Sequence, residues 1–368
     1  MHISSRRHFL KNAAILAPVL SFLPTTLLAG TGSRLRIAFI GAGPWGQQYL
    51  SHALQHKQLD VRAICDGDKK AIKESLKLFK HTPDIYDNYK TLLERKDIDA
   101  VLIAAPWHLH YEIAKAAMLA GKHVACGTVM GTTVAEHWDI VRISNKTGCQ
   151  YFTLDETSYR RDLMAIYNMT EKRVFGKLET VQAGASHHEL DTQRDAAYPV
   201  YPAAAVARVL GKPKYVSIRT TQQKQQYAIS KANKLLFNIG DTESIMLETA
   251  QGQTVRLQSG IGKTQPVSTG FHIEGSGGSW MDITRSIYLK DESSPKHIWD
   301  ADKPYLQQYD HPEWSDPFAM ALQDFLAEIK QPSGSVYAAA TNSVIGPLAA
   351  LSAKRGGSTI HFPDFNNA

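Results

Sequence analysis

Between Leu35 and Gln150 short, continuous apolar runs alternate with stretches whose apolar residues recur every three or four positions. The runs "LRIAFIGAG", "DVRAICD", "DAVLIAAP" and "HVACG" read as strands. The stretches "PWGQQYLSHALQHK", "KKAIKESLKLFK", "YKTLLERKD", "HYEIAKAAMLAG" and "TVAEHWDIVRISNKTG" read as amphipathic helices. Strands that are apolar throughout, each followed by a helix, predict a parallel sheet covered on both faces. That is a doubly wound α/β domain. After "CQYFTLD" and a helix around "YRRDLMAIYNMTEKRVFG" the pattern changes to strands, with "KLETVQAGAS", "PKYVSIRTTQ", "ESIMLETAQGQTVRLQSG" and "GFHIEGSGGSWMDI". The turn "AQGQ" joins two of them as a hairpin, so this second sheet is expected to be antiparallel or mixed. Helices at "DPFAMALQDFLAEIK" and around "AAATNSVIGPLAALSAKRG" close the chain. The expected division is a leader over 1–30, an α/β domain over 34–155 and an α+β domain over 156–362. Chemistry is expected in the cleft between the two domains.

Composition changes this picture little, and the N-terminus changes it a great deal. The 368 residues are 43% hydrophobic and 21% charged, which is ordinary for a globular chain. No apolar run beyond the N-terminus reads as long enough to cross a bilayer. The net charge of +6 includes Arg6, Arg7 and Lys11 of the leader; the remaining +3 is too scattered to argue for nucleic acid. Cys65, Cys126 and Cys149 sit in or beside strand-like runs and are expected to be buried free thiols, with no metal site among them. Ser5-Arg6-Arg7-His8-Phe9-Leu10-Lys11 follows the twin-arginine export pattern, with an apolar segment to Ala29 behind it. The expectation is a periplasmic protein, free of the membrane once the leader is removed.

Gly41-Ala42-Gly43-Pro44-Trp45-Gly46 ends a strand and opens a helix, the setting in which this glycine spacing binds a dinucleotide. Gly41 serves the tight turn, Gly43 lets a pyrophosphate approach the backbone, and Gly46 lets helix and strand pack closely. Helix N-terminal amides then face the phosphates. Asp66 closes the second strand about 20 residues on, where a carboxylate holds a ribose diol and repels a 2′-phosphate. The cofactor expected is therefore NAD, in a pocket that includes Pro44 and Trp45. Lys69 and Lys70 lie close enough to soften that preference, although a solvated helix start is their commoner role.

With those residues in hand, "IAFIGAGPWG", "AICDGD", "AVLIAAPWHLHYEIAKAAMLAGKHVA" and "EKRVFGKLETVQA" resemble the Gfo/Idh/MocA oxidoreductases in order and spacing over roughly 34–362. "KTGCQYFTLDETSYRRDLMAIYNM", "AAYPVYP" and "GPLAALSAKRGGSTIHFPDF" resemble more narrowly the branch containing glycoside hydrolase family 109. The resemblance implies NAD in an N-terminal Rossmann domain, a C-terminal mixed sheet used for homo-oligomers, and a sugar or sugar-like polyol as substrate. It also implies that Pro106, Trp107 and His110 of "APWHLH" line the cofactor pocket near the nicotinamide or the sugar.

The family's catalytic pattern carries over poorly. Where its members have Glu-Lys-Pro or Glu-Val-Pro, this chain has Cys126-Gly127-Thr128-Val129, and the family's Asp and His fall at Ala197 and Tyr201. The remaining acid–base candidates are Tyr201, Tyr159 of "DETSYRRD" and His188 of "GASHHELD". A phenol near pKa 10 needs a neighbouring charge to lower it, for which Arg160 or Arg161 is available. Stacking against sugar or simple packing is the alternative for both tyrosines. His188 beside Glu189 suits an acid–base pair, a metal site or a surface position; His187 points the opposite way on an extended strand, so the two histidines are not expected to be co-ligands. Three functions follow, in this order. The first is an exported oxidoreductase that oxidises a sugar hydroxyl with tightly bound NAD. The second is a family 109-like glycosidase that uses NAD in a redox-neutral cycle of oxidation, elimination, hydration and reduction. The third is a non-catalytic sugar-binding relative.

Overall fold

The computed structural model describes residues 34–186, 200–222, 242–260, 271–292, 296–298, 309–310 and 316–367. The first half alternates as the apolar pattern predicts. Its elements are β1 (Leu35–Ile40), α1 (Pro44–Gln55), β2 (Leu59–Cys65), α2 (Lys69–Leu76), β3 (Asp84–Tyr86), α3 (Tyr89–Leu93), β4 (Ala100–Ile103), α4 (Trp107–Leu119), β5 (His123–Gly127), α5 (Val134–Thr147) and β6 (Tyr151–Leu154). The six strands form one sheet in the order β3-β2-β1-β4-β5-β6, parallel at every pairing. The order reverses direction at β1, so the crevice between the carboxyl ends of β1 and β4 is the topological switch point.

A 3-10 turn over Glu156–Tyr159 leads out of β6 into α6 (Arg161–Glu171), followed by β7 (Leu178–Ser186), α7 (Val200–Val209), β8 (Tyr215–Gln222), β9 (Thr242–Thr249) and β10 (Thr254–Gly260). Four short strands come next: β11 (His272–Gly275), β12 (Gly278–Met281), β13 (Ser286–Leu289) and β14 (Lys296–Ile298). The chain closes with α8 (Pro317–Lys330), α9 (Ser335–Ser343), α10 (Ile345–Lys354) and β15 (Ile360–His361). Among the described residues the second sheet has nine strands, in the order β14-β13-β12-β11-β7-β10-β9-β8-β15. It is mixed: β7 and β10 run parallel, while the "AQGQ" turn makes β9 and β10 an antiparallel hairpin, with Thr254 opposite Glu248. Gly252 at φ +81° supplies the left-handed residue which that turn needs.

Alternation along β1 sends its residues into two cores. Leu35, Ile37 and Phe39 face Tyr49 and Leu50 of α1 together with Ala321, Leu322 and Phe325 of α8. The end of the chain therefore returns to cover the first sheet. Ala38 and Ile40 face the other core, which runs on through α4 and α5 to the second sheet. Cys65, Cys126 and Cys149 are buried free thiols, as their setting predicts.

Ser335–Lys354, the run of α9 and α10, corrects the reading that no segment past the leader could cross a bilayer: it is long and apolar enough by composition. Within the fold 61% of its 18-residue apolar window is buried, because the run packs into the core beside the second sheet. A polar contact adds to its apolar packing on the first domain. The Ser343 hydroxyl on α9 accepts from the Met130 amide at 2.8 Å and donates to Nε2 of His137 at 2.8 Å. His137 in turn donates from Nδ1 to the Thr133 carbonyl at 2.7 Å, and burial pushes its imidazole down to about 4, which keeps it neutral in this role.

Candidate active site

The glycine loop separates its three glycines by physical cause. Gly41 has φ +104°, and a Cβ there would stand 2.4 Å from the carbonyl carbon and oxygen of Ala104. A Cβ on Gly46 would stand 2.4 Å from the Gly41 carbonyl oxygen. These two are glycine because the strand, the loop after β4 and the start of α1 press together. Gly43 differs: its φ is −66°, which any residue adopts, and among the described residues no atom lies within 4 Å of where a Cβ would be. α1 also begins with Pro44 in its first turn and no side-chain cap, so its first amides are left to an outside acceptor. Those features fit a pyrophosphate at the head of α1.

Asp66 stands directly after β2. Its Oδ2 accepts from the Ala42 amide at 2.7 Å and its Oδ1 from the Asp68 amide at 2.8 Å. An ionised carboxylate has about four acceptor positions, so each oxygen keeps one for a hydroxyl of a ribose. Lys69 and Lys70 lie exposed at the start of α2, behind the Asp68 cap. Asp66→Ala is expected to weaken NAD by about 10- to 100-fold, the worth of one or two hydrogen bonds to a charged group. NADP should lose little, because the lost carboxylate also repelled its phosphate. Calorimetric titration with both nucleotides checks this, and an unchanged preference would show that another group reads the ribose.

On the far side of the switch point the side chains are closely fitted. Trp45 is half-buried; its Nε1–H lies 3.2 and 3.3 Å from the two carboxylate oxygens of Glu156. The Tyr49 hydroxyl donates to the same carboxylate at 3.2 Å, and the Tyr49 ring packs on Trp45 with centroids 4.7 Å apart. Burial and the neighbouring Asp155 raise the Glu156 carboxyl above its ordinary range. Pro106 caps α4, and Trp107 opens it half-buried. His110 is only 2% exposed, with Nδ1 2.8 Å from the Val129 carbonyl oxygen and Nε2 2.7 Å from that of Ala105. Burial lowers its pKa. The imidazole thus spans the loops after β4 and β5; the neutral ring has one N–H, so one of these carbonyls accepts a hydrogen bond and the other only lies close. Val129, which it holds, has φ +87°, a strained conformation for a β-branched residue.

Tyr159 is placed differently from Trp45. It is 3% exposed, its hydroxyl donates to Asp324 of α8 at 2.6 Å, and the Arg208 guanidinium lies 4.1 Å from its ring centroid. Burial pushes this phenol far above its usual range. It borders a cavity of about 630 Å³ between β6, α7, α8 and α9. Arg160 and Arg161 are held by aspartates: Arg160 pairs with Asp162 at 2.6 Å, and Arg161 with Asp310 at 2.7 Å. Tyr201 is the second residue of α7, but its side chain lies outside the described residues, as do His187, His188, Glu189 and Ala197. Glu156, Arg208 and Asp324 are marked by no motif that the sequence displays. For Glu156 the available signal was an acid two residues past the last strand of a doubly wound sheet, where ligands sit.

Residues 35–154 match the Gfo/Idh/MocA oxidoreductase family's NAD-binding Rossmann-fold domain, and residues 203–368 match the glycosyl hydrolase 109 C-terminal domain. A glycosyl hydrolase family 109 protein of Stenotrophomonas maltophilia is 30% identical, over 99% of this chain and 96% of its own. The chain belongs to glycosyl hydrolase family 109. An alpha-N-acetylgalactosaminidase of Tannerella forsythia is 29% identical, over 90% of this chain and 86% of its own. In architecture the chain is similar to the WlbA dehydrogenase of Bordetella pertussis, solved with NADH and UDP-GlcNAcA. The TM-score is 0.71 at 15% identity, over 90% of this chain and 98% of that one. This family 109 member is thus an NAD-binding enzyme of carbohydrate chemistry, and the glycine loop and Asp66 are the parts of the fold that fit the cofactor.

Proposed function

We propose that the protein cleaves a glycosidic bond, using NAD that stays bound and is not consumed, and that it does so in the periplasm after twin-arginine export. The α-N-acetylgalactosaminide class is the substrate this reading favours, from the relative in Tannerella forsythia. The observation that carries it is the joining of an NAD-binding domain to a C-terminal domain of the glycosyl hydrolase 109 type in one chain. NAD, when bound, supplies reversible two-electron oxidation at a sugar carbon. The chain's own residues do the rest. The Gly41–Gly46 loop and Asp66 hold the cofactor, while Tyr201 and His188 are the groups assigned to proton transfer on the sugar. A redox-neutral reaction also suits export, since no exchange with a cytoplasmic nucleotide pool is needed.

Net oxidation of a sugar hydroxyl is the second reading. It is favoured by Tyr201, which stands where the resemblance places the histidine of the hydrolase branch. The deciding experiment starts from protein purified without added nucleotide. Denaturation is expected to release NAD. Incubation of the native protein with a chromogenic α-N-acetylgalactosaminide is expected to release the aglycone, with no steady growth of the near-ultraviolet band of reduced nicotinamide. Growth of that band without aglycone would establish the second reading. Protein free of nucleotide and unable to take it up would overturn tight binding.

A further inference from the structure

The bound dinucleotide has a fixed direction on this sheet. Asp66 follows β2, on one side of β1, and the pyrophosphate site is at the head of α1. The nicotinamide half must therefore run the other way, over the carboxyl ends of β4 and β5. Trp45 leaves the pyrophosphate loop in that direction. Its six-membered ring reaches the end of β5, where a Cβ on Gly127 would lie 3.0 and 3.2 Å from two of its ring carbons and 3.5 Å from Cε1 of His110. Gly127 has no left-handed φ, so backbone conformation does not call for glycine there. The indole does.

Three contacts fix that ring. Glu156 takes the indole N–H between its two oxygens and sets the rotation in the ring plane. Tyr49 backs it at 4.7 Å and is itself braced by Phe318 of α8 at 4.8 Å. The β5 end against which it is wedged is locked by the His110 contact to Val129 and by the Met130 amide on Ser343. A half-buried aromatic chosen only for packing needs no such tether.

We infer that Trp45, seated in the space that Gly127 leaves and oriented by Glu156, is the wall against which the nicotinamide ring packs. Glu156 is a positioning residue in this arrangement, acting through the indole. The inference rests on NAD binding at the glycine loop and assigns the other end of the same site. An indole in contact with an oxidised nicotinamide gives a charge-transfer shoulder on the long-wavelength side of the protein absorption. That shoulder is expected in the NAD-saturated protein and should vanish in Trp45→Phe. NAD affinity should fall by about tenfold, a loss of roughly 1.4 kcal/mol. Gly127→Ala, which displaces the ring without removing it, should weaken the shoulder while the protein still saturates with NAD.

Saturation is measured independently by calorimetry, so a protein that binds no NAD refutes the cofactor reading and not this one. NAD binding with no shoulder in the wild type, or a shoulder and affinity untouched by Trp45→Phe, overturns the inference.

Discussion

Gly43→Val is expected to leave the protein folded and to remove its ability to bind NAD. The two halves of that statement have separate grounds. Gly43 sits at φ −66° with open space where a Cβ would be, so valine there disturbs nothing in the described fold. The cost to stability should be about 1 kcal/mol, because Gly43 is the N-cap of α1 and valine is a poorer cap than glycine. A branched side chain at the head of α1 nonetheless stands where a pyrophosphate must meet the backbone. A loss of about a thousandfold in affinity, roughly 4 kcal/mol, is expected. Gly41→Val is the control with the opposite signature. It forces a β-branched residue to φ +104°, with its Cβ 2.4 Å from the Ala104 backbone, and should unfold the domain or lower its melting temperature sharply. Calorimetric melting and NAD titration of both variants separate the two. A Gly43→Val protein that binds NAD normally would show that the nucleotide lies elsewhere.

The contrast between these glycines also marks what a reader of the sequence can see. The loop is legible because its spacing is local and each glycine has a consequence within a few residues. The strands "LRIAFI" and "AVLI" are legible because burial on both faces leaves no polar position. β3 was not read, since "DIY" is three mostly exposed residues that are a strand only because β2 pairs with them. The parallel pairing of β7 with β10 was equally invisible, because a long crossover separates them and no turn sets the register. Side-chain partnerships fared worst. Trp45 meets Glu156 across 111 residues, and Tyr159 meets Asp324 across 165. Nothing in "DETSY" says that its acid reaches the glycine loop while its tyrosine turns to α8. His110 reads as pocket lining, and the "APWHLH" pattern could not show that its ring would be wedged between two backbone carbonyls.

The other large effect is expected at Tyr201, at the start of α7. On the proposed function this phenol moves the proton that the family's histidine position would otherwise handle. Tyr201→Phe keeps the ring and its volume and removes only the transferable proton. Turnover is then expected to fall by about 10²–10⁴, the usual worth of general acid–base catalysis. Binding of the sugar should hardly change, since an interaction made only in the transition state leaves the ground state alone. A stacking role gives the reverse pattern, with Tyr201→Phe nearly silent and Tyr201→Ala weakening sugar affinity while the turnover of bound substrate survives. Tyr201→His discriminates between hydrolysis and net oxidation. It replaces the phenol with an imidazole, a group whose unperturbed pKa lies near neutrality. A gain in aglycone release over wild type would mean that the tyrosine moved this chain away from hydrolysis, and steady growth of reduced nicotinamide in the wild type should accompany it. Equal activity in the wild type and all three variants would remove Tyr201 from the chemistry and leave His188 as the acid–base candidate to replace next.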